Sequence, residues 1–381
     1  MIPYTSSLFF YVMSLALVPA IIMGLLGKNI KYYGLLANLF ILFLVFGQSW
    51  EQAAYLVVFY LVNLHLVKVY PRLKKKYQGR WLIWTVVIIS LLPLLASKAW
   101  AVFVPNFLGF LGLSYVTFRV VQILLEIHDG LIDEVSWFDF TYFVLFFPTI
   151  SSGPIDRSRR FIQDLNTRHT GKEYLNILGN GIYKIFFGVF YKFVIGYAID
   201  TYWLEKVPSG HTFLHTIDYM YAYGFYLFFD FAGYSLIAIG VSYVLGIITP
   251  ENFNKPFLSR DMKEFWQRWH MSLSFWFRDF IYIRFVMAAL RNKWFKNKYA
   301  ASYLGYMLTF CLMGAWHGLQ AHYLVYGFYE GSLLVLTDYY QRKSALYKKY
   351  KSNWFMSAVS VLATIILMFF GFLLFSGYLF T

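Results

Sequence analysis

The segment Leu8–Leu26 reads LFFYVMSLALVPAIIMGLL and carries no charged side chain. Its length is close to the roughly 20 apolar residues that an α-helix needs to cross the hydrocarbon core of a membrane. The basic residues Lys28 and Lys31 follow this run, and no Lys or Arg precedes it. A cleavable signal peptide carries positive charge ahead of its apolar run. We therefore expect a permanent first membrane helix, with the N-terminus outside the cell.

The whole chain has the composition of an integral membrane protein. Of its 381 residues, 59% are hydrophobic and 14% are charged, whereas about a quarter of the residues in a soluble domain are charged. This composition excludes an ordinary soluble enzyme, a disordered protein and a coiled coil. The apolar runs are long and continuous, which favours helices over an outer-membrane β-barrel. We expect an all-α polytopic protein with about 10 or 11 transmembrane helices, forming one membrane domain over residues 1–381.

The apolar runs define the candidate spans, and the loops between them define a predicted topology. Lys and Arg concentrate in cytoplasmic loops, so the basic segments 71–80, 155–172, 255–298 and 342–351 are predicted inside. The candidate spans are residues 8–26, 33–47, 52–70, 81–97, 101–125, 174–200, 213–229, 231–248, 299–317, 322–339 and 354–379.

This topology contains one conflict. If 255–298 lies inside, the runs 213–229 and 231–248 cannot both be full crossings. Gly224 and Gly233 lie within them, and we expect a broken or re-entrant pair there rather than an external basic segment. The short run 137–150 likewise predicts a re-entrant segment or a buried half-helix.

Several classes of partner and site find no support in the sequence. The net charge of +14 is explained by the cytoplasmic loops, so we expect no nucleic-acid partner. Cys311 is the single cysteine; it cannot form an internal disulfide, and no Cys/His spacing predicts a metal site. The chain lacks a P-loop and the G-x-S-x-G and HExxH motifs. We expect no permanently bound cofactor or metal.

Ionisable residues within apolar segments are costly, and each is a candidate functional residue. Asp230 lies among aromatic residues, and we expect a structural role, fixing an unwound stretch near Gly233. His317 ends the run 299–317, near the outer face of the membrane if this helix rises from the cytoplasm. A neutral imidazole there could act as a general base towards a hydroxyl. An interfacial histidine beside Trp316 is the alternative.

His270 lies in the stretch 264–279, which is too polar for lipid and too aromatic for water. Such a stretch either lines an interior cavity or forms an amphipathic helix at the membrane surface. The residues alone leave these two interpretations open.

Several blocks, taken in order, resemble the membrane-bound O-acyltransferase (MBOAT) family. The likeness covers about residues 105–340. It implies a bundle of transmembrane helices with re-entrant or interfacial helices around a central tunnel or funnel. It also implies that His317 is the catalytic histidine and that His270 positions a group or stabilises a developing oxyanion. The blocks are Phe229–Ser235 (FDFAGYS), Pro250–Phe253 (PENF), Glu264–Ser274 (EFWQRWHMSLS) and, as in a bacterial branch that includes alginate O-acetylases, Phe147-Pro148 with Ser152–Ile155 (SGPI).

Within that branch the chain is most similar to the D-alanyltransferases of teichoic acids. The loop Pro71–Lys76 (PRLKKK) and the segment Asp279–Phe285 (DFIYIRF) carry this likeness, since alginate-type relatives continue with a Pro-Leu-Gly-Gly stretch instead. The resemblance implies a D-alanyl thioester on the 4′-phosphopantetheine arm of a small acidic cytoplasmic carrier protein as the donor. The implied acceptor is a hydroxyl of lipoteichoic acid outside the cell, reached directly or through a relay on a partner.

The resemblance also implies partners in the membrane: lipids, a second membrane-anchored protein of the same pathway and a small membrane peptide. A carrier needs a docking surface, and a mixed apolar and basic segment is the candidate; anchoring to lipid headgroups is the alternative. Three other functions remain: an O-acetyltransferase of an extracellular polysaccharide, a transporter or flippase, and an inactive scaffold. The candidate docking residues are Arg284, Val286, Met287 and Arg291.

Overall fold

The computed structural model describes residues 2–77, 79–102, 109–350 and 352–380. Across these residues all regular structure is helical, which confirms the all-α class. Six helices there are long and apolar enough to cross a membrane, which supports the polytopic arrangement. Residues 103–108 of the predicted span 101–125, and Lys351 of the predicted loop 342–351, lie outside the described residues. The six helices are Ser7–Leu25, Trp50–Lys76, Arg80–Trp100, Gly171–Lys206, Phe213–Val244 and Trp354–Ser376.

The contacts divide the chain into two compact units. The first comprises Met1–Val189 with Gly233–Pro250, and the second comprises Phe190–Ala232 with Glu251–Thr381. A single membrane domain over 1–381 stays a prediction. The helices of the first unit are α1 Ser7–Leu25, α2 Lys31–Phe46, α3 Trp50–Lys76, α4 Arg80–Trp100, α5 Leu113–His128, α6 Trp137–Val144, α7 Ser158–Asn166 and α8 Gly171–Val189.

In the second unit α8 continues as a π-helical segment, Phe190–Gly196, before α9 begins. The residues of α10 from Gly233 onwards belong to the first unit. The helices of the second unit are α9 Tyr197–Tyr202, α10 Phe213–Val244, α11 Met262–Trp266, α12 Met271–Phe277, α13 Ile283–Arg291, α14 Lys298–His317, α15 Ala321–Lys343, α16 Ala345–Tyr350 and α17 Trp354–Ser376.

A buried arginine stabilises the chain where α6 ends. The carbonyls at the end of a helix lack helical partners, and lipid supplies no donor to replace them. The guanidinium of Arg119, whose residue is 1% exposed, donates at 3.0 Å to the carbonyl oxygens of Phe143 and Val144. It also donates at 2.6 Å to the carbonyl of Thr149. One side chain from α5 therefore supplies partners to a whole irregular segment.

Asn38 of α2 completes this segment from a second direction. Its Nδ2 donates to the carbonyl of Leu145 at 2.9 Å, and its Oδ1 accepts from the N–H of Phe147 at 2.6 Å. A 3₁₀ turn, Phe147–Thr149, follows at once. The run 137–150 is thus a short helix and a turn buried inside the first unit, which confirms the predicted half-helix.

Helix α10 is continuous, so the predicted break at Gly224 and Gly233 is wrong. Both glycines serve close packing instead. A side chain at Gly224 would collide with the ring of Phe369, and a Cβ at Gly188 of α8 would lie 2.7 Å from the carbonyl oxygen of Gly233. Small residues allow helices in membranes to approach in this way. One crossing over 213–244 also removes the conflict with a cytoplasmic segment 255–298.

The predicted span 101–125 is also wrong as a single helix. Helix α5 begins at Leu113, and residues 109–112 are not helical. Gly112 has φ +86° and lies against the carbonyl oxygen of Ile150, where a Cβ would collide. Both the backbone conformation and the close approach require glycine. The helix that follows is buried almost all round, as expected of a core helix.

Gly188→Ala should lower the free energy of unfolding by about 1–3 kcal/mol, because the added methyl group overpacks the contact between α8 and α10. Gly179→Ala is the matched control on the same helix, since nothing lies within 4 Å of a Cβ there. The control should gain about 0.5–1 kcal/mol from the better helix propensity of alanine. Thermal unfolding in lipid nanodiscs measures both, and equal effects would contradict the close approach.

Candidate active site

His270 lies at the turn between α11 and α12, in a strained backbone conformation. Its φ is +42° and its ψ is +50°, a left-handed region that non-glycine residues rarely adopt. The residue is 5% exposed, so an interior position replaces the alternative of a surface helix. Strain of this kind persists only where the surroundings enforce it, and it is concentrated at functional sites.

Asn252 holds this turn through both its backbone and its side chain. Its carbonyl oxygen accepts from the N–H of Met271 at 2.8 Å. Its Oδ1 lies 3.0 Å from Nδ1 of His270, 2.9 Å from Oγ of Ser272 and 3.3 Å from the Ser272 nitrogen. The sequence marks 250–253 as a block of the resemblance but assigns no role to Asn252.

His317 is the last residue of α14, as predicted for the end of the run 299–317. Its imidazole is enclosed by aromatic rings, with centroid distances of 4.8 Å to Phe375, 6.0 Å to Tyr323 and 6.2 Å to Tyr326. The negative end of the helix dipole lies at this terminus and favours positive charge there.

Glycines bring α15 close to α14 and so build the surroundings of His317. A Cβ at Gly327 would lie 2.5 Å from the carbonyl oxygen of Phe310, and one at Gly314 would collide with the carbonyl of Tyr323. Gly314 thus permits the close approach of the α15 backbone.

The fold of the second unit brings His270 and His317 into electrostatic contact. Burial, together with a smaller effect of the neighbouring His317, lowers the pKa of His270 to about 3. His270 lies outside the six crossing helices. Because its pKa is this low, the imidazole of His270 is neutral at physiological pH.

Sequence reasoning missed a buried carboxyl that contacts Trp266, four residues before His270. Glu330 of α15 is 1% exposed, and Nε1 of Trp266 donates to its Oε2 at 3.1 Å. Trp266 precedes His270 by one helical turn along the chain, and Tyr326, which packs on His317, precedes Glu330 by one turn. Glu330 thus connects the segment of one histidine to the helix that packs on the other. The sequence feature that could have identified Glu330 is an acidic residue within the apolar run 322–339.

A cavity of about 190 Å³ lies beside Trp266. Met313, one turn before His317 on α14, contributes to its wall, together with Phe310. Lys263 and Arg278 provide basic groups in its lining. The cavity can therefore receive a chain that is apolar over most of its length and carries an anionic group.

Asp230 has a structural role, but not the predicted one. No unwound stretch exists near Gly233, because α10 is continuous there. Asp230 instead forms an ion pair with Lys192 of the π-helical segment. The backbone of Gly196 comes close to Asp230, with a Cβ there 3.5 Å from the Asp230 nitrogen. The acid is neutralised within the second unit, which reduces the cost of a charge in an apolar segment.

The candidate docking residues lie on α13, but they do not share one face. Met287 is 62% exposed, and Arg291 is also exposed. Val286 is half-buried and packs against α14, where a Cβ at Gly305 would lie 2.9 Å from it. Arg284 is half-buried beside the ring of Phe280. A Val286 substitution would therefore disturb the packing of α13 against α14 as well as any docking surface.

The family model described as membrane-bound O-acyltransferase matches residues 48–380, a longer range than the predicted 105–340. Teichoic acid D-alanyltransferase of Bacillus subtilis (strain 168) is 44% identical, over 99% of this chain and 98% of that protein. The protein of the same name from Lacticaseibacillus rhamnosus is 39% identical, over 99% and 97%. Probable alginate O-acetylase AlgI of Pseudomonas aeruginosa is 31% identical, over 59% of this chain and 42% of that protein.

Glu330→Leu should lower the free energy of unfolding by about 1–3 kcal/mol, because it leaves the buried indole N–H of Trp266 without an acceptor. Glu330→Gln keeps a carbonyl oxygen of the same shape and should remain close to the wild type. Thermal unfolding in nanodiscs compares the two. If glutamine costs as much as leucine, the hydrogen bond to Trp266 is not what Glu330 contributes.

Proposed function

As a member of the membrane-bound O-acyltransferase family, this chain is a membrane acyltransferase, and we propose that it transfers D-alanine to teichoic acid. The observation that carries the chemistry is the electrostatic contact between His270 and His317, with a cavity lined by Trp266 and Met313, four residues before each histidine. Relatives named for D-alanyl transfer match almost the full chain, whereas the alginate acetylase matches 59% of it. This difference supports D-alanine over acetate as the transferred group.

The proposed donor is a D-alanyl thioester on the 4′-phosphopantetheine arm of an acidic carrier protein in the cytoplasm. The cavity beside Trp266 suits such an arm: its aromatic wall matches the pantetheine chain, and Lys263 and Arg278 match the phosphodiester. Because Met313 of the same wall is one turn from His317, a thioester at the end of the arm would approach the catalytic histidine. The carrier itself would stay on the cytoplasmic side.

In the proposed reaction, His317 takes the proton from a hydroxyl of the acceptor as the oxygen attacks the thioester carbonyl. An ester bond forms, the carbon–sulfur bond breaks, and the leaving thiolate recovers the proton from His317. His270 lies beside this exchange as a neutral group. Since only one histidine of the pair takes the proton, the site avoids two adjacent positive charges.

The proposed acceptor is lipoteichoic acid outside the cell, reached directly or through a hydroxyl of a partner protein. The charge rule supports an N-terminus outside, with the basic segments 71–80 and 155–172 inside. Pathway partners of this kind are a second membrane-anchored protein and a small membrane peptide, in a bilayer whose lipids surround the enzyme.

We place the proposed carrier dock on the exposed stripe of α13, with Ile283, Met287 and Leu290 at its centre and Arg291 at its end. These positions recur at helical spacing. An acidic carrier helix would find apolar contact along the stripe and charge steering from Arg291 and Lys293.

His317→Ala in nanodiscs should reduce D-alanyl transfer from the carrier by about 10²–10⁴-fold, the usual contribution of a general base. His65→Ala is the matched control: His65 is an exposed histidine of α3, and its loss should change the rate less than about twofold, as for a surface substitution. The measurement is release of radiolabelled D-alanine from the carrier to the acceptor, with pathway membrane proteins added back.

The same assay with acetyl donors separates the two acyl groups. Transfer from the D-alanyl carrier and not from acetyl donors supports the proposed function. Consumption of an acetyl donor instead would assign the protein to polysaccharide acetylation, and wild-type transfer by His317→Ala would remove His317 from the mechanism.

Met287→Asp should weaken carrier binding by about 10-fold or more, because a charge interrupts an apolar contact worth about 1–3 kcal/mol. Leu346→Asp is the control, an exposed apolar residue on α16 that lies outside the stripe. Binding of fluorescent carrier to nanodiscs gives both affinities. If the two variants bind the carrier with equal affinity, the stripe on α13 is not the carrier dock, and lipid anchoring is its role instead.

A further inference from the structure

We propose that Asn252 is a positioning residue for acyl transfer, which holds His270 in the tautomer that carries its ring hydrogen on Nδ1. This inference rests on the proposed role of the histidine pair. It assigns His270 a definite chemical function, because in that tautomer Nε2 carries the lone pair and accepts a hydrogen bond.

The contacts of the Asn252 amide determine which of its two terminal atoms faces the histidine. Oδ1 lies 3.3 Å from the backbone nitrogen of Ser272, and a backbone N–H can only donate. If the amide were turned over, its NH₂ group would face that N–H, donor against donor. The Ser272 hydroxyl, 2.9 Å from the same oxygen, can donate as well. The oxygen therefore lies on the side of Ser272 and His270.

The orientation of the amide then fixes the histidine. Nδ1 of His270 lies 3.0 Å from an oxygen that can only accept. A hydrogen bond at that distance requires a hydrogen on Nδ1. Because the imidazole is neutral at physiological pH, its second nitrogen carries none. Nε2 of His270 is therefore a hydrogen-bond acceptor, and of the two roles that the resemblance implies, positioning a group is favoured over stabilising an oxyanion.

This orientation of the Asn252 side chain has an energetic cost, which falls on its own amide nitrogen. Asn252 is 1% exposed, and its Nδ2 has no hydrogen-bond partner among the residues that the structure describes. A buried donor without a partner is destabilising. The chain thus keeps the amide oxygen on the histidine while the amide nitrogen remains unpaired. Such an arrangement is expected where function, and not stability, selects the orientation.

The backbone supports the same interpretation. Asn252 also accepts from Met271 through its carbonyl, so a single residue fixes the strained φ of His270 and the hydrogen on its ring. Histidines in reactive sites are commonly oriented by a hydrogen bond to the nitrogen that does not react. Here the orienting group is an amide, which adds no charge and leaves His270 neutral beside His317.

The tautomer of His270 can be measured directly by NMR spectroscopy, without any substrate. Protein labelled with ¹⁵N-histidine in nanodiscs, compared with His270→Gln to assign the signal, should show His270 protonated at Nδ1 and bare at Nε2. A His270 signal protonated at Nε2 would overturn the inference. Because this measurement needs no donor, it stands even if D-alanyl transfer fails, so the two proposals fail separately.

Enzyme kinetics test whether Asn252 positions His270 for acyl transfer. Asn252→Ala should lower kcat by about 10-fold or more while KM for the carrier changes little, as expected for an interaction that aligns a reacting group. Ser272→Ala, which removes another donor from the same oxygen and leaves the histidine contact, should stay within about threefold of the wild type. Wild-type kcat for Asn252→Ala in a protein that transfers D-alanine would contradict the proposal.

Asn252→Asp gives a second test, which does not depend on the stability of the alanine variant. The aspartate keeps the acceptor for Nδ1, so most of the activity lost in Asn252→Ala should return at high pH. Its charge favours protonated His270, so the ¹⁵N signals of His270 in this variant should titrate about 1 pH unit or more above those of the wild type. His317 is the titratable group that acts on His270 among the described residues, and Ser272 and Phe231 face it without charge. An unchanged titration of His270 would contradict the contact.

Discussion

A buried backbone in a membrane protein must find all its hydrogen-bond partners within the protein, because lipid supplies none. The irregular segments of this chain obey that constraint through a few polar side chains. Arg119 and Asn38 supply partners to the segment after α6, and Asn252 does the same for the turn at His270. Both of these irregular segments are thus tied to specific side chains. The turn at His270 also carries a buried imidazole, which makes it the candidate site.

Close helix packing supplies the second part of the site. Gly314 and Gly327 allow α14 and α15 to touch, and this contact sets Tyr323 and Tyr326 against His317. The imidazole of His317 at a helix C-terminus and the neutral imidazole of His270 held by an amide therefore lie in different environments.

The sequence was informative wherever the signal was local. The end of α14 at His317 and the buried half-helix at 137–150 follow from hydropathy and from Pro148. The continuity of α10 could not be predicted, because a glycine in an apolar run indicates either a break or a close contact. Only the distant partner, Phe369 for Gly224, decides between them. The roles of Asn252 and Glu330 depend in the same way on partners far away in the chain.

The proposed mechanism requires a carrier-bound D-alanyl group to reach the histidine pair. A structure of the protein bound to a carrier whose arm ends in a stable thioether analogue of the D-alanyl thioester tests this most directly. We predict the arm in the cavity beside Trp266, with its final carbons beside His270 and His317, within about 3–4 Å of an imidazole nitrogen. An arm that ends elsewhere on the protein, with both histidines remote from it, would contradict the proposed mechanism.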